Sequence, residues 1–212
     1  MKTKVQHHWE QEEFADRIGQ DINRLKSYEL EKKFILENLE NLSGKILDIG
    51  CGTGFFLKTI GWSGEISGIE INEKAKEVAI KNGYNFKKDL NETNYFDVIV
   101  MRGSIHLIPY PFLTIEQCYK SLKPGGKLFI LASPNSDSIV HRIFGDMHIF
   151  KKNAVNWRVS KSNLNEVFKN FGFIHKSTNC SYLKSPYCKL LSDHIKFIKL
   201  LTLGNFIFKI AA

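Results

Sequence analysis

The 212-residue chain contains no window approaching the roughly 20 consecutive apolar residues of a membrane-spanning helix. Residues 1–10 are polar and lack the apolar stretch of a secretory signal. There is no low-complexity tract and no repeat at the periods that mark solenoids. Cysteine is scarce: Cys51, Cys118, Cys180 and Cys188 are the only four, and none forms a Cys-x-x-Cys pair. That spacing argues against a structural zinc site, and so few thiols do not make a disulfide scaffold. Together these absences predict a protein of the reducing cytoplasm.

What is present is an ordinary globular composition, 43% hydrophobic and 25% charged, at a length that suits one domain with a sizeable core. The net charge of +8 is unevenly placed. Residues 139–212 hold twelve Lys/Arg against three Asp/Glu, a net +9, while the first 138 residues are near neutral. A basic C-terminal third points to an anionic partner or to a solvated lysine-rich surface.

Apolar spacing orders the chain into alternating elements. Residues 10–41 read as a helical arm, with Phe14, Ile18, Ile22 and Leu25 recurring at steps of three and four. Strands are expected at 45–49, 65–69, 85–87, 96–101 and 127–132. Between them lie helices from 54 to 60, after an Asn72 cap with Ala75, Val78 and Ala79 facing inward, and from 112 to 122. Lys123-Pro124-Gly125-Gly126 stops the last of these and turns into the fifth strand. An insert at about 135–158 precedes a helix capped by Ser160 or Ser162, and a late strand at 173–177. The pattern predicts an α/β fold with a doubly wound, mostly parallel sheet covered on both faces. It divides the chain into an N-terminal helical arm or lid (1–42), a core (43–186) and an amphipathic extension (187–212).

Ile46-Leu47-Asp48-Ile49-Gly50-Cys51-Gly52-Thr53-Gly54 is the strongest motif: a strand, an acid and a glycine-rich turn opening a helix. The Gly-x-Gly-x-Gly spacing departs from the Gly-x-Gly-x-x-Gly of dinucleotide binders and suits a ligand without a pyrophosphate. Glu70, at the end of the second strand and 16 residues after Gly54, is placed to accept hydrogen bonds from ribose hydroxyls. In such sheets ligands sit beyond the carboxyl ends of the strands where strand order reverses.

With Gly68-Ile69-Glu70, Phe96-Asp97-Val98-Ile99 and Leu122-Lys123-Pro124-Gly125-Gly126 in the same order, the chain resembles class I S-adenosylmethionine-dependent methyltransferases over residues 43–174. It is most similar to the small-molecule branch that methylates quinones, sugars and lipids. The resemblance implies a sheet of the seven-stranded type and S-adenosylmethionine as cofactor. Asp48, Gly50, Cys51, Gly52 and Gly54 would shape the methionine and ribose site, Glu70 with Ile71 would hold the ribose side, Asp89 and Leu90 the adenine, and Met101 and Arg102 the methionine. Ser133-Pro134-Asn135 and Arg142-Ile143-Phe144-Gly145 resemble an acceptor-enclosing stretch of sugar- and lipid-linked members. Many members carry a histidine just before a Pro-x-Pro. Here Leu107 takes that place before Pro109-Tyr110-Pro111 and His106 lies one residue earlier.

Methyl transfer from a sulfonium asks the protein mainly to orient two reactants and exclude water. A hydroxyl acceptor adds the need for a base, and His106, ahead of His141 and His148, is the candidate. The expected acceptor is a small molecule, of anionic, sugar- or lipid-linked type. Nucleic acid is disfavoured because Met101-Arg102-Gly103-Ser104 replaces the Asn-Pro-Pro-Tyr type motif of nucleobase methylation. An RNA methyltransferase and a non-catalytic binding module are the alternatives. Residues 190–210, with Leu191, Ile195, Ile198, Leu201 and interleaved lysines, read as a helix for a membrane interface, the core or a homodimer.

Overall fold

The computed structural model describes residues 22–133, 135–137, 156–182 and 205–211. Helix α1 (Ile22–Leu36) leads to β1 (Ile46–Ile49), α2 (Phe55–Ile60), β2 (Ile66–Ile69), α3 (Glu73–Lys81), β3 (Asn85–Phe86) and β4 (Phe96–Arg102). A 3₁₀ turn (Ile105–Leu107) follows, then α4 (Pro111–Ser121), β5 (Leu122–Leu131), α5 (Lys161–Asn170), β6 (Ile174–Tyr182) and β7 (Asn205–Ala211).

The sheet order is β3-β2-β1-β4-β5-β7-β6. Strands β1 to β5 run parallel, and β7 lies antiparallel between β5 and β6. The chain winds outward from β1 through β2 to β3, then crosses back to place β4 on the other side of β1. The reversal of strand order therefore falls between β1 and β4, and the loops after these two strands meet there.

Strand residues alternate between two cores, as the pleat requires. Leu47, Ile49, Ile99, Met101, Leu128 and Ile130 face Ile115 and Cys118 of α4 and Leu164 and Phe168 of α5. Ile46, Val98, Val100, Phe129 and Leu131 face Tyr28, Phe34 and Ile35 of α1 and Phe56, Leu57 and Ile60 of α2. Asp48 and Arg102 continue the second series, which places two charged residues on the α1–α2 side. Asp48 pairs with Val100 across β1 and β4, so Arg102 is its diagonal neighbour.

Local signals placed the caps well. Asn72 Oδ1 accepts from the Ala75 amide at 2.9 Å. Of the two candidate serines, Ser160 is the cap of α5, in a reciprocal box with Asn163.

Several expectations change. Val78 is 40% exposed rather than inward, and α3 buries Ala75 and Ala79. Leu25 sits at the surface, and α1 instead buries Tyr28, Glu31, Phe34 and Ile35. The fifth strand begins at Leu122. Phe96 pairs with Leu122 and Val98 with Lys127, so the Lys123–Gly126 stretch bulges out of the ladder instead of preceding it.

The helix expected through residue 210 does not reach its end. Residues 205–211 form β7, because β5 offers an open edge and both β5 and β6 pair with it. That part of the extension belongs to the core sheet. Phe14 and Ile18, most of the insert including Arg142-Ile143-Phe144-Gly145, His141 and His148, and residues 187–204 lie outside the described residues. Among the described residues no helix is long and apolar enough to cross a membrane, and no group of three or more His, Cys, Asp or Glu could hold a metal ion.

Candidate active site

The turn after β1 is built from glycines because its backbone and neighbours admit little else. Gly50 (φ 76°) and Gly54 (φ 70°) both occupy the left-handed region. A Cβ on Gly50 would stand 2.5 Å from Ser104 Cβ, and one on Gly54 would stand 2.5 Å from the Tyr84 ring. Three bonds hook the turn in place. The Gly50 amide donates to Ile69 O at 2.8 Å, the Gly54 amide to Cys51 O at 3.0 Å, and Ser104 Oγ to Ile49 O at 2.5 Å. The last of these ties the β4 loop to the β1 turn across the switch point.

Glu70 lies beside this turn, as its position at the end of β2 suggested. Its Oε2 accepts from the Gly52 amide at 2.7 Å, and its Oε1 accepts from the Ile71 and Asn72 amides at 2.8 and 3.0 Å. One carboxylate thus fixes the middle of the glycine turn and the start of α3. Each carboxylate oxygen has two acceptor sites, so Oε2 retains capacity for a ligand hydroxyl. Ile71 next to it presents an apolar side chain that is 43% exposed.

Asp48 is fully enclosed. Tyr84 Oη donates to Oδ2 at 3.0 Å, while Oδ1 is buried without a hydrogen-bond partner. Burial raises the carboxyl pKa to about 7, against the opposing effects of the Tyr84 bond and the Arg102 charge; Glu70 adds to the rise. Cys51 packs beneath Gly68, and burial, with Asp48 and Glu70 nearby, pushes its thiol up. It is a packed loop residue rather than a nucleophile.

The outer expected contacts are less uniform. Asp89 is exposed and accepts from Asn91 Nδ2 at 2.6 Å, whereas the Leu90 side chain is in the core. The Met101 side chain is wholly buried in the α4–α5 core. Arg102 is taken up by the protein itself. Its Nε and Nη2 donate to Glu31 at 2.6 and 3.2 Å, and its guanidinium lies 4.4 Å from the Tyr28 ring centre and 5.3 Å from that of Phe56. This anchor packs α1 on the core.

His106 sits in the 3₁₀ turn after β4, two residues beyond Ser104. Its ring is buried, Nδ1 has no hydrogen-bond partner, and burial lowers its pKa to about 4. The imidazole is therefore neutral at physiological pH. Its carbonyl accepts from the Asn156 and Trp157 amides at 2.8 and 3.2 Å, which joins the turn to the end of the insert.

Tyr84, Ser104 and Glu31 went unnoticed in the sequence. For Glu31 a signal existed: an acid on the stripe shared by Tyr28, Phe34 and Ile35. Tyr84 and Ser104 carry no local pattern.

Residues 17–174 match the family described as a methyltransferase domain. Similar curated proteins include the ubiquinone biosynthesis O-methyltransferases of Pseudomonas fluorescens strain Pf0-1 and of Nitrosococcus oceani. The first is 28% identical over 160 residues, covering 68% of this chain and 66% of that protein. The second is 31% identical over 140 residues, covering 59% and 57%. The chain spans between half and two thirds of the length of these relatives. Among solved structures, a SAM-dependent methyltransferase from Archaeoglobus fulgidus superposes with a TM-score of 0.60 at 21% identity, covering 88% of this chain and 94% of that one. One from Aquifex aeolicus gives 0.58 at 18%, covering 90% and 93%. These two likenesses concern the fold.

Proposed function

The chain belongs to the methyltransferase-domain family, and from that premise we propose that it transfers a methyl group from S-adenosylmethionine to a small-molecule acceptor. The carrying observation is the Glu70 clamp: a carboxylate bonded to the Gly52 amide at 2.7 Å, beside a turn that leaves no room for a Cβ at Gly50 or Gly54. A cradle of bare backbone with a carboxylate at its edge fits a nucleoside whose ribose hydroxyls need an acceptor. Exposed Ile71 suits the apolar face of a base, and the buried Asp48 carboxylate suits a cationic amino-acid portion.

When bound, S-adenosylmethionine supplies an activated methyl group for in-line displacement. The chain's own work is to hold the donor at the Gly50–Gly54 turn, to align the acceptor beyond β4, and to keep water out. For a hydroxyl acceptor, as the names of the relatives suggest, His106 takes the proton that leaves the oxygen. Its support is its place on the loop that Ser104 ties to the turn, with a ring nitrogen, Nδ1, that no described residue engages.

The acceptor is assigned negative charge because residues 139–212 carry a net +9. A peripheral membrane contact or a homodimer through the extension would have to use residues 187–204, since residues 205–211 are committed to the sheet.

Calorimetry with S-adenosylmethionine tests the site. Glu70→Ala is expected to weaken binding by roughly 1–3 kcal/mol, the cost of unmade hydrogen bonds. Preferential binding of NAD, or no binding by the unaltered protein, would sink the reading. His106→Gln is expected to leave donor affinity unchanged and to slow methyl transfer to a hydroxyl acceptor by about 10²–10⁴-fold. An unchanged turnover would remove His106 from the chemistry.

A further inference from the structure

Tyr84 stands outside every motif, yet three features of the site converge on it. Its ring lies against both Gly54 and Gly68, where an added Cβ would stand 2.5 and 2.9 Å from ring carbons. It stacks with Phe86 at 6.4 Å between centroids. Its hydroxyl reaches under the turn to Asp48 Oδ2, at 3.0 Å. The other Asp48 oxygen is buried and has no hydrogen-bond partner among the described residues. A carboxylate enclosed so deeply is costly unless something compensates its charge.

Resting on the assignment of this turn as an S-adenosylmethionine site, we propose that Tyr84 is a positioning residue that holds Asp48 as the anion beneath the cationic donor. The tyrosine donates its single proton to one carboxylate oxygen, which fixes the side chain, and the enclosed carboxylate acts on the ligand's positive end through its charge rather than by contact. Among the described residues, few charged groups surround Asp48. Arg102 from the end of β4 favours the anion, and its own charge is shared with Glu31 of α1. Glu70 from the end of β2 opposes it. Cys51 of the turn is held as a thiol by burial, and Lys76 of α3 is paired with Glu73 at 2.7 Å. Burial likewise pushes the Tyr84 phenol up, so it stays a donor.

With Asp48 poised near pH 7, protonation on acidification removes the anion that the donor meets. Donor affinity in the unaltered protein should therefore rise through about pH 7. Tyr84→Phe keeps the ring and removes the bond that favours the anion. Its midpoint should move upward by about one pH unit, lowering affinity about fivefold at neutrality, approaching about tenfold at lower pH, and regaining it at higher pH. Asp48→Asn should be weak and independent of pH.

The test is calorimetric titration of all three proteins with S-adenosylmethionine between about pH 5.5 and about pH 9. It is paired with carbon NMR titration of the Asp48 carboxyl in the free protein. An unshifted midpoint in Tyr84→Phe would reduce the tyrosine to a filler of space, and so would an affinity that stays low at every pH. If the unaltered protein binds the donor with no pH dependence, the positioning role fails while the methyltransferase reading stands. If it binds no donor at all, that reading fails, and the NMR midpoints still report whether Tyr84 controls Asp48.

Discussion

Glu31→Ala is expected to lower the stability of the fold by about 3–5 kcal/mol, the range for breaking a buried ion pair by removing one partner. The Glu31 side chain is 3% exposed and that of Arg102 is 14% exposed, with 2.6 Å between Oε2 and Nε. The guanidinium remains between Tyr28 and Phe56, whose π faces compensate only part of its charge. Chemical denaturation measures the loss, and a double-mutant cycle with Arg102→Ala isolates the coupling. A change below about 1 kcal/mol would mean that the pair behaves like a surface salt bridge. In that case α1 would be held by its apolar residues alone. The pair also links fold to site, because the charge on Arg102 is one of the two influences that favour ionised Asp48.

Gly54→Ala combines two penalties that are separable. The left-handed backbone at φ 70° costs an L-residue roughly 1–2 kcal/mol. The new methyl would meet Tyr84 Cε2 at 2.5 Å and Cδ2 at 2.8 Å, and displacing a packed ring adds roughly 1–3 kcal/mol. Moving that ring also strains the Tyr84–Asp48 hydrogen bond. The expected result is a destabilised protein with donor binding reduced below detection by calorimetry. Gly61→Ala is the internal control. It has φ 78°, yet its added Cβ meets nothing within 4 Å, so it should show the backbone penalty only. Equal losses at the two glycines would mean that Tyr84 yields freely and does not brace the turn.

Much of the site was legible because it is encoded locally. A Gly-x-Gly-x-Gly run directly after the strand Ile46–Ile49 marks a tight turn into a helix, and an acid ending the next parallel strand comes to rest beside it. Asn72 and Ser160 announced their helices through short-range hydrogen bonds that need no tertiary partner. Other features lie where local information is silent. Met101 and Arg102 are adjacent at the end of one strand, so the pleat sends one into the α4–α5 core and the other toward α1. Neither fate is written in the two residues. Val78 and Ala79 likewise look equivalent until the helix is rotated against a particular sheet.

The sequence by itself determined the alternation of strands and helices, the glycine turn, the acid at its edge and the basic C-terminal third. Each of these depends on backbone conformation or on composition within a few residues. The tertiary structure decided which buried charges face one another. Tyr84 and Asp48 are 36 positions apart, and Arg102 and Glu31 are 71 apart. It also decided the fate of Phe206-Ile207-Phe208, an apolar run too short for periodicity to separate helix from strand. The open edge of β5 and the backbone of β6 settled that choice by offering hydrogen bonds on both sides of one strand. Partners for a buried charge or an unpaired strand edge are properties of the assembled topology, and no stretch of chain carries them alone.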